Sequence, residues 1–300
     1  MADTEKAELT LLSFVRPVNR EVTRQNPLAL EELSCKRGDV NFYLLVNRRH
    51  KSLRVLDYRI GNYQLKRNAL DYLAKEQGLR KIYTLVEKQD SNSWRTVGFS
   101  REAVVPGYFR TADAYVMSRV YDEEGQPLTG GLSKVAVAHD IPEAKKPRKP
   151  SGLKLKVVID PDRIQKVLHA KDTTEFYTPF GKGIQGPDVL VSAALDRKKF
   201  WVAGEINDSF GHAKVDLLST PTTRREVYVC VFALKELFDR LEEHDVGSIF
   251  AFTSVENDLL GEVFASAGFR HTGQLTRHVC LNEDELEDMH TWHVRIAYPM

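Results

Sequence analysis

Side chains suited to proton transfer stand close together in the second half of this chain. Two strand-like runs, FWVAGEIN (200–207) and AKVDLLS (213–219), carry Glu205 and Asp216, with His212 at the head of the second. Carboxylates and an imidazole on neighbouring strands are suited to general-base work, and Asp208 is a further candidate. A strand-edge histidine facing solvent is the plainer reading of His212. The next stretch, STPTTRREVYV, brings Thr222, Thr223, Arg224 and Arg225 to the start of a long apolar-periodic segment. Hydroxyl and guanidinium groups at a helix start suit a phosphate, because the first N–H groups are unsatisfied and the dipole is positive there. The alternative is that Thr222 or Thr223 caps the helix.

A second strand-to-helix turn, RIGNYQLKRNALDYL, places Gly61 and Asn62 before Lys66 and Arg67. GKGIQG (181–186) satisfies a dinucleotide fingerprint literally. It lacks the preceding strand and following helix which that chemistry needs, so it reads as a loop over a cleft. His290 and His293 are three apart on a strand, hence on opposite faces, and no other His, Cys or Asp cluster has metal-ligand spacing. No metal is expected.

The elements that would position these groups occur twice. Residues 53–121 and 212–296 share an apolar strand, a long amphipathic helix, a second apolar strand and a closing Gly-Phe pair. In the first copy these are LRVLDYRI, YQLKRNALDYLAKEQGL, KIYTLVE and Gly98-Phe99; in the second, HAKVDLLS, VYVCVFALKELFDRLEEHD, SIFAFTS and Gly268-Phe269. Helix signals follow the 3.6-residue stripe of Val229, Phe232, Ala233, Leu237 and Leu241. Strands entering as an antiparallel meander and then crossing through a helix predict an α/β (α+β) fold. Each copy is a mixed, mostly antiparallel sheet with a central parallel strand–helix–strand crossover and helices on both faces. Between the copies, GQPLTGG and EAKKPRKPSG read as a solvated linker, with KKPRK as a localisation or nucleic-acid patch in the sharper reading. The expected division is 1–122, a linker over 123–153, and 154–300.

Composition narrows the partners. The chain has 300 residues, is 42% hydrophobic and 28% charged, and carries a formal net charge of +1. That gives no electrostatic case for nucleic acid or an anionic membrane. Three widely spaced cysteines argue against a disulfide framework, and the charged N-terminus lacks a signal-peptide core. A soluble, cytoplasmic protein is expected.

The register Asn257, Leu260, Val263, Phe264, Gly268, Phe269 resembles the Asn-x-x-Ala-x-x-Leu-Tyr-x-x-x-Gly-Phe signature of the GNAT superfamily of N-acetyltransferases. The tail at Gly273, Leu275, Glu287, Met289 and Trp292 is similar to the β-lysine acetyltransferase branch. Glu87, Asp90, Ser93, Trp94, Gly98 and Phe99 repeat the register in a truncated first copy. The resemblance implies a tandem fold and acyl-CoA-dependent transfer to an amine, on a small molecule or a protein, with the second copy the active module. It implies acetyl-CoA as cofactor, with Thr222, Thr223, Arg224, Arg225, Asn257 and Phe264 on its site and His212, Glu205 and Asp216 as catalytic candidates. The sequence departs from the family at two points. Neither copy has the glycine loop that lets backbone approach the pyrophosphate. Phe264 and Trp94 also stand where the family places a tyrosine acid. These departures imply the alternative of a degenerate module that acts through a protein partner.

Overall fold

A computed structural model describes residues 15–17, 30–37, 40–56, 63–128, 139–168, 179–180, 186–282 and 285–296. It divides into two compact units that do not follow the halves of the chain. Unit 1 comprises 1–103, 114–137 and 275–288; unit 2 comprises 104–113, 138–274 and 289–300.

Unit 1 begins with strands β1 (Val15–Pro17), β2 (Leu30–Arg37), β3 (Val40–Asn47) and β4 (Ser52–Val55), paired antiparallel in sequence order. Helix α1 (Tyr63–Glu76) then crosses to β5 (Lys81–Val86), which runs parallel to β4. Helix α2 (Lys88–Thr96) leads to β6 (Ser100–Val105) and β7 (Ala114–Val120), with β7 inserted between β5 and β6. Alternate side chains along the strands and the 3.6-residue stripe of Ala69, Leu70 and Leu73 explain the layers: sheet residues such as Leu44, Val46, Leu53 and Ile82 meet that stripe in one apolar core.

Unit 2 repeats the order. β8 (Lys154–Val158) and helix α3 (Pro161–Leu168) precede the antiparallel strands β9 (Val189–Leu195), β10 (Lys198–Asn207) and β11 (His212–Leu217). Helix α4 (Arg224–Glu242) crosses to β12 (Ser248–Ser254), parallel to β11. Helix α5 (Asp258–Ala267), β13 (Arg270–Asn282) and β14 (Glu285–Arg295) follow, and β14 pairs antiparallel with β12. The apolar stripe of α4 packs on β9 and β10 around Val191, Val202, Val215 and Leu237.

The recurrent Gly-Phe pair has one physical cause in both units. Gly98 (φ 92°) and Gly268 (φ 101°) end α2 and α5 in the left-handed conformation that favours glycine. In α2, the Gly98 N–H donates to the Arg95 carbonyl and the Phe99 N–H to the Trp94 carbonyl; in α5, Gly268 donates to Ala265 and Phe269 to Phe264. These are the paired bonds of a Schellman cap, whose apolar contact is supplied by the ring after the glycine. Phe99 meets Trp94 edge-on at 4.8 Å, and Phe269 meets Phe264 at 5.0 Å.

The basic stretch between the copies is less solvated than its composition predicts. Residues 139–150 run without regular structure alongside α5. The Lys145 N–H donates to Ser266 Oγ, its ammonium reaches Glu262 at 2.8 Å, and Pro142 lies against Gly261. Lys146, Arg148 and Lys149 remain exposed.

Candidate active site

Register brings the three proton-transfer candidates to one face of unit 2. Glu205 pairs with Lys214, Asn207 with His212, and Ala203 with Asp216 across β10 and β11. Residues directly opposite in an antiparallel pair share a face, and alternate residues along a strand share it too. Glu205, His212, Lys214 and Asp216 therefore stand together, while Ala213, Val215 and Leu217 point into the apolar core.

This polar face is buried. His212 is 3% exposed, Lys214 2% and Asp216 8%. The Lys214 ammonium donates to both Asp216 oxygens, at 2.6 and 2.5 Å. Each charge is matched by the other, which a dry site requires. The Glu205 Oε2 atom accepts from the Phe180 N–H at 2.8 Å. His212 Nδ1 lies 2.7 Å from the Tyr108 carbonyl. A carbonyl only accepts, so Nδ1 carries a proton, and in the neutral ring the lone pair falls to Nε2. The imidazole is stacked on the Tyr108 ring at 4.0 Å and flanked by Phe250 at 5.7 Å and Phe210 at 6.1 Å. His212 is thus an enclosed histidine rather than a solvent-facing one.

Tyr108 and Lys214 were not singled out for this face by sequence reasoning. The alternation His212, Lys214, Asp216 was a usable signal for Lys214. Tyr108 had none, because it sits between β6 and β7 in the first half yet belongs to unit 2.

The start of α4 is closed by its own side chains. Thr223 Oγ1 accepts from the Glu226 N–H at 3.3 Å. Glu226 Oε2 in turn accepts from the Thr222 N–H at 2.8 Å and the Thr222 hydroxyl at 2.9 Å, and Lys198 donates to its other oxygen. Thr223-x-x-Glu226 is the sequence form of a capping box, and the capping alternative holds for Thr223. Burial works to raise the Glu226 pKa, but the Lys198 ammonium and the Thr222 donors hold it below the usual carboxylate value. The helix N-terminus therefore carries a bound carboxylate. Arg224 lies 3.7 Å from Glu262 and Arg225 3.1 Å from Asp196, both largely exposed.

The remaining candidates are placed as follows. Asn257 caps α5, its Oδ1 accepting from the Leu260 N–H at 3.1 Å. Phe264 is 1% exposed between Phe269 and Trp292. In unit 1, Lys66 is buried with its ammonium 5.2 Å from the centre of the Phe42 ring, and Arg67 lies 3.8 Å from Asp71. Gly61 and Asn62, and residues 181–185 of the glycine-rich loop, lie outside the described residues. His290 meets His271, and His293 meets Ser248, on opposite faces of β14. Among the described residues no group of three His, Cys, Asp or Glu side chains is placed to hold a metal, and no helix is long and apolar enough to cross a membrane.

No family model matches this chain, and no curated protein matches it. Solved structures do. The ribosomal-protein-S18-alanine N-acetyltransferase from Escherichia coli is similar at 13% identity over 49% of this chain and 96% of that one, with a TM-score of 0.37. The spermidine N-acetyltransferase from Vibrio cholerae, in complex with CoA and spermine, is similar at 12% identity over 50% and 98%, with a TM-score of 0.36. An acetyltransferase of the GNAT family from Streptococcus pneumoniae is similar at 11% identity over 47% and 99%, with a TM-score of 0.35.

Proposed function

We propose that this chain is a tandem GNAT-type protein whose unit 2 transfers an acyl group from acyl-CoA to an amine. The observation that carries the reading is the buried face of β10 and β11, where Glu205, His212 and the Lys214–Asp216 pair converge beside a parallel strand–helix–strand crossover. A tandem arrangement is supported by the same strand order in both units, each with its seventh strand inserted between the fifth and sixth. Glu205 is the proposed base for an ammonium substrate, and His212 Nε2 is its partner. Attack of the neutral amine nitrogen on the thioester carbonyl forms the amide bond. It breaks the C–S bond and returns the thiolate as leaving group, which takes up a proton. Arg224 and Arg225 are the proposed phosphate ligands, since their guanidinium groups are exposed at the head of α4.

A second reading is favoured by one specific observation. The Glu226 carboxylate places a negative charge at the start of α4 and occupies the Thr222 N–H and hydroxyl, two donors just before the helix. A module with that turn closed would bind a partner or a different ligand and perform no transfer.

Calorimetric titration of acetyl-CoA into the protein and into its Arg224→Ala, Arg225→Ala and Glu226→Gln variants separates the two. The transferase reading expects binding that weakens in the arginine variants and tightens in Glu226→Gln, where a negative charge beside the phosphates is removed. Absence of binding at millimolar acetyl-CoA in all four proteins overturns it in favour of the second reading.

A further inference from the structure

Unit 1 carries a groove that the proposed transfer chemistry does not use. One face of α2 presents Lys88, Ser91, Asn92 and Arg95, and the neighbouring strands β6 and β7 add Arg101 and Tyr115. Together they line an open space of about 580 Å³, within the range that small-molecule sites occupy. Lys88, Asn92, Arg95 and Arg101 are exposed, while Trp94 on the opposite side of α2 is buried and anchors the helix.

The charge on this groove is uncompensated. Elsewhere in unit 1, Arg48, Arg80, Lys81 and Arg119 each lie within ion-pair distance of a carboxylate. Among the described residues, Lys88, Arg95 and Arg101 have no such partner. Three cations stand around one concavity with no carboxylate among the lining residues, and the Asn92 amide adds N–H donors between them. Lys88 and Arg95 are two helical turns apart, about 10 Å along the axis, a span that a chain of phosphates matches better than a single one. Arg101 lies over the Tyr115 ring, 5.4 Å from its centre. A guanidinium so held offers its outer face for stacking by a further planar ring.

We infer that this groove binds a small polyphosphate ester bearing a planar ring, the chemistry of a nucleoside di- or triphosphate. Lys88 and Arg95 hold the phosphates, the Asn92 amide donates to the linking oxygens, and the Arg101–Tyr115 pair receives the ring. A nucleic-acid strand fits less well, because the net charge of +1 leaves no basic track to continue beyond the groove.

The test titrates ATP, inorganic tripolyphosphate and a single-stranded oligonucleotide into the full chain. The same titrations are run on Arg95→Ala, Arg101→Ala and a Lys88→Ala/Arg95→Ala double variant. All three side chains are exposed, and a thermal melt of each variant confirms that it remains folded. The expected result is ATP binding that weakens with added salt and falls about tenfold or more in each variant, as loss of a charged hydrogen bond implies. Tripolyphosphate should bind more weakly than ATP. The inference is overturned if ATP does not bind, if its affinity is unchanged in the variants, if tripolyphosphate binds as tightly, or if only the oligonucleotide binds.

Discussion

The Lys214–Asp216 pair shows how much one side chain can hold in place on a dry sheet face. Its two charges offset each other, so the pair itself adds little net stability, but removing one partner takes a buried charge's counter-ion away. Lys214→Met should destabilise unit 2 by about 3–5 kcal/mol. Lys214→Met with Asp216→Leu should recover most of that loss in urea unfolding, because the buried carboxylate is removed together with its counter-ion. Two histidines on β14 give the chain a second residue-scale dependence, on pH. Burial pushes His290 down from 6.5 to about 4, helped by His271 and His139; burial also pushes His293 to about 4, helped by Arg295. Both stay neutral in the fold while the unfolded chain binds protons below its ordinary histidine pKa. Stability is then fully present above about pH 6.5 and is lost progressively as pH falls towards 4. Melting temperatures across that window should drop, and a His290→Gln/His293→Gln variant should flatten the drop. A melting profile of the parent that is level between pH 6.5 and 4 would refute this.

At the scale of elements, much was legible because local chemistry decides it. Short apolar runs marked β3, β5 and β12, and the 3.6-residue stripe marked α1 and α4. The Gly-Phe signature in each half is a Schellman cap, a device that short-range sequence specifies completely. The two caps differ in surroundings, which allows a comparison. A Cβ at Gly268 would meet nothing within 4 Å, so Gly268→Ala should cost only the left-handed strain, about 1 kcal/mol. A Cβ at Gly98 would lie 1.9 Å from an Arg119 nitrogen that donates to the Val97 carbonyl and whose neighbour reaches Asp71. Gly98→Ala should therefore cost about 2–4 kcal/mol by thermal or chemical denaturation, strain plus a broken charged hydrogen bond. Gly261 reports on the segment over α5. Alanine normally gains about 1 kcal/mol over glycine inside a helix. Here its Cβ would come within 2.4 Å of Pro142, so Gly261→Ala should lift residues 139–150 away. Faster tryptic cleavage after Lys145 and Arg148 is the expected outcome; an unchanged cleavage rate would show that the segment does not depend on that contact. The linker composition concealed this docking, because Lys145 and Pro142 find partners only once α5 is in place.

What the sequence could not disclose is the course of the chain between the units. Residues Val104–Asp113, from the first half, supply Tyr108 to His212 in unit 2, while Leu275–Asp288, from the second half, belong to unit 1. No periodicity or turn chemistry encodes such an exchange, since both segments read as ordinary strand connections within their own half. Its energetic weight lies in the contacts each segment makes inside its unit. In unit 1, the fully buried Lys81 ammonium donates to Glu102 and to the Thr276 carbonyl at 2.7 Å, and the Thr276 N–H donates to Glu102 at 2.8 Å. Burial lowers the Lys81 pKa against the pull of Glu102, so this ammonium needs each acceptor it has. Without Leu275–Asp288 it would lose the Thr276 carbonyl and the nearby Asp288 charge. In unit 2, Ser248 Oγ donates to the Pro106 carbonyl at 2.7 Å, and the Tyr108 ring covers His212. Residues 1–122 and 154–300 made as separate polypeptides should therefore each lack a segment that their core requires. Neither should give the dispersed amide spectrum or cooperative melt of a folded domain. Mixing the two should restore both, since each unit would again have its exchanged segment. Independent folding of either piece would mean that the exchanged segments are peripheral to its core.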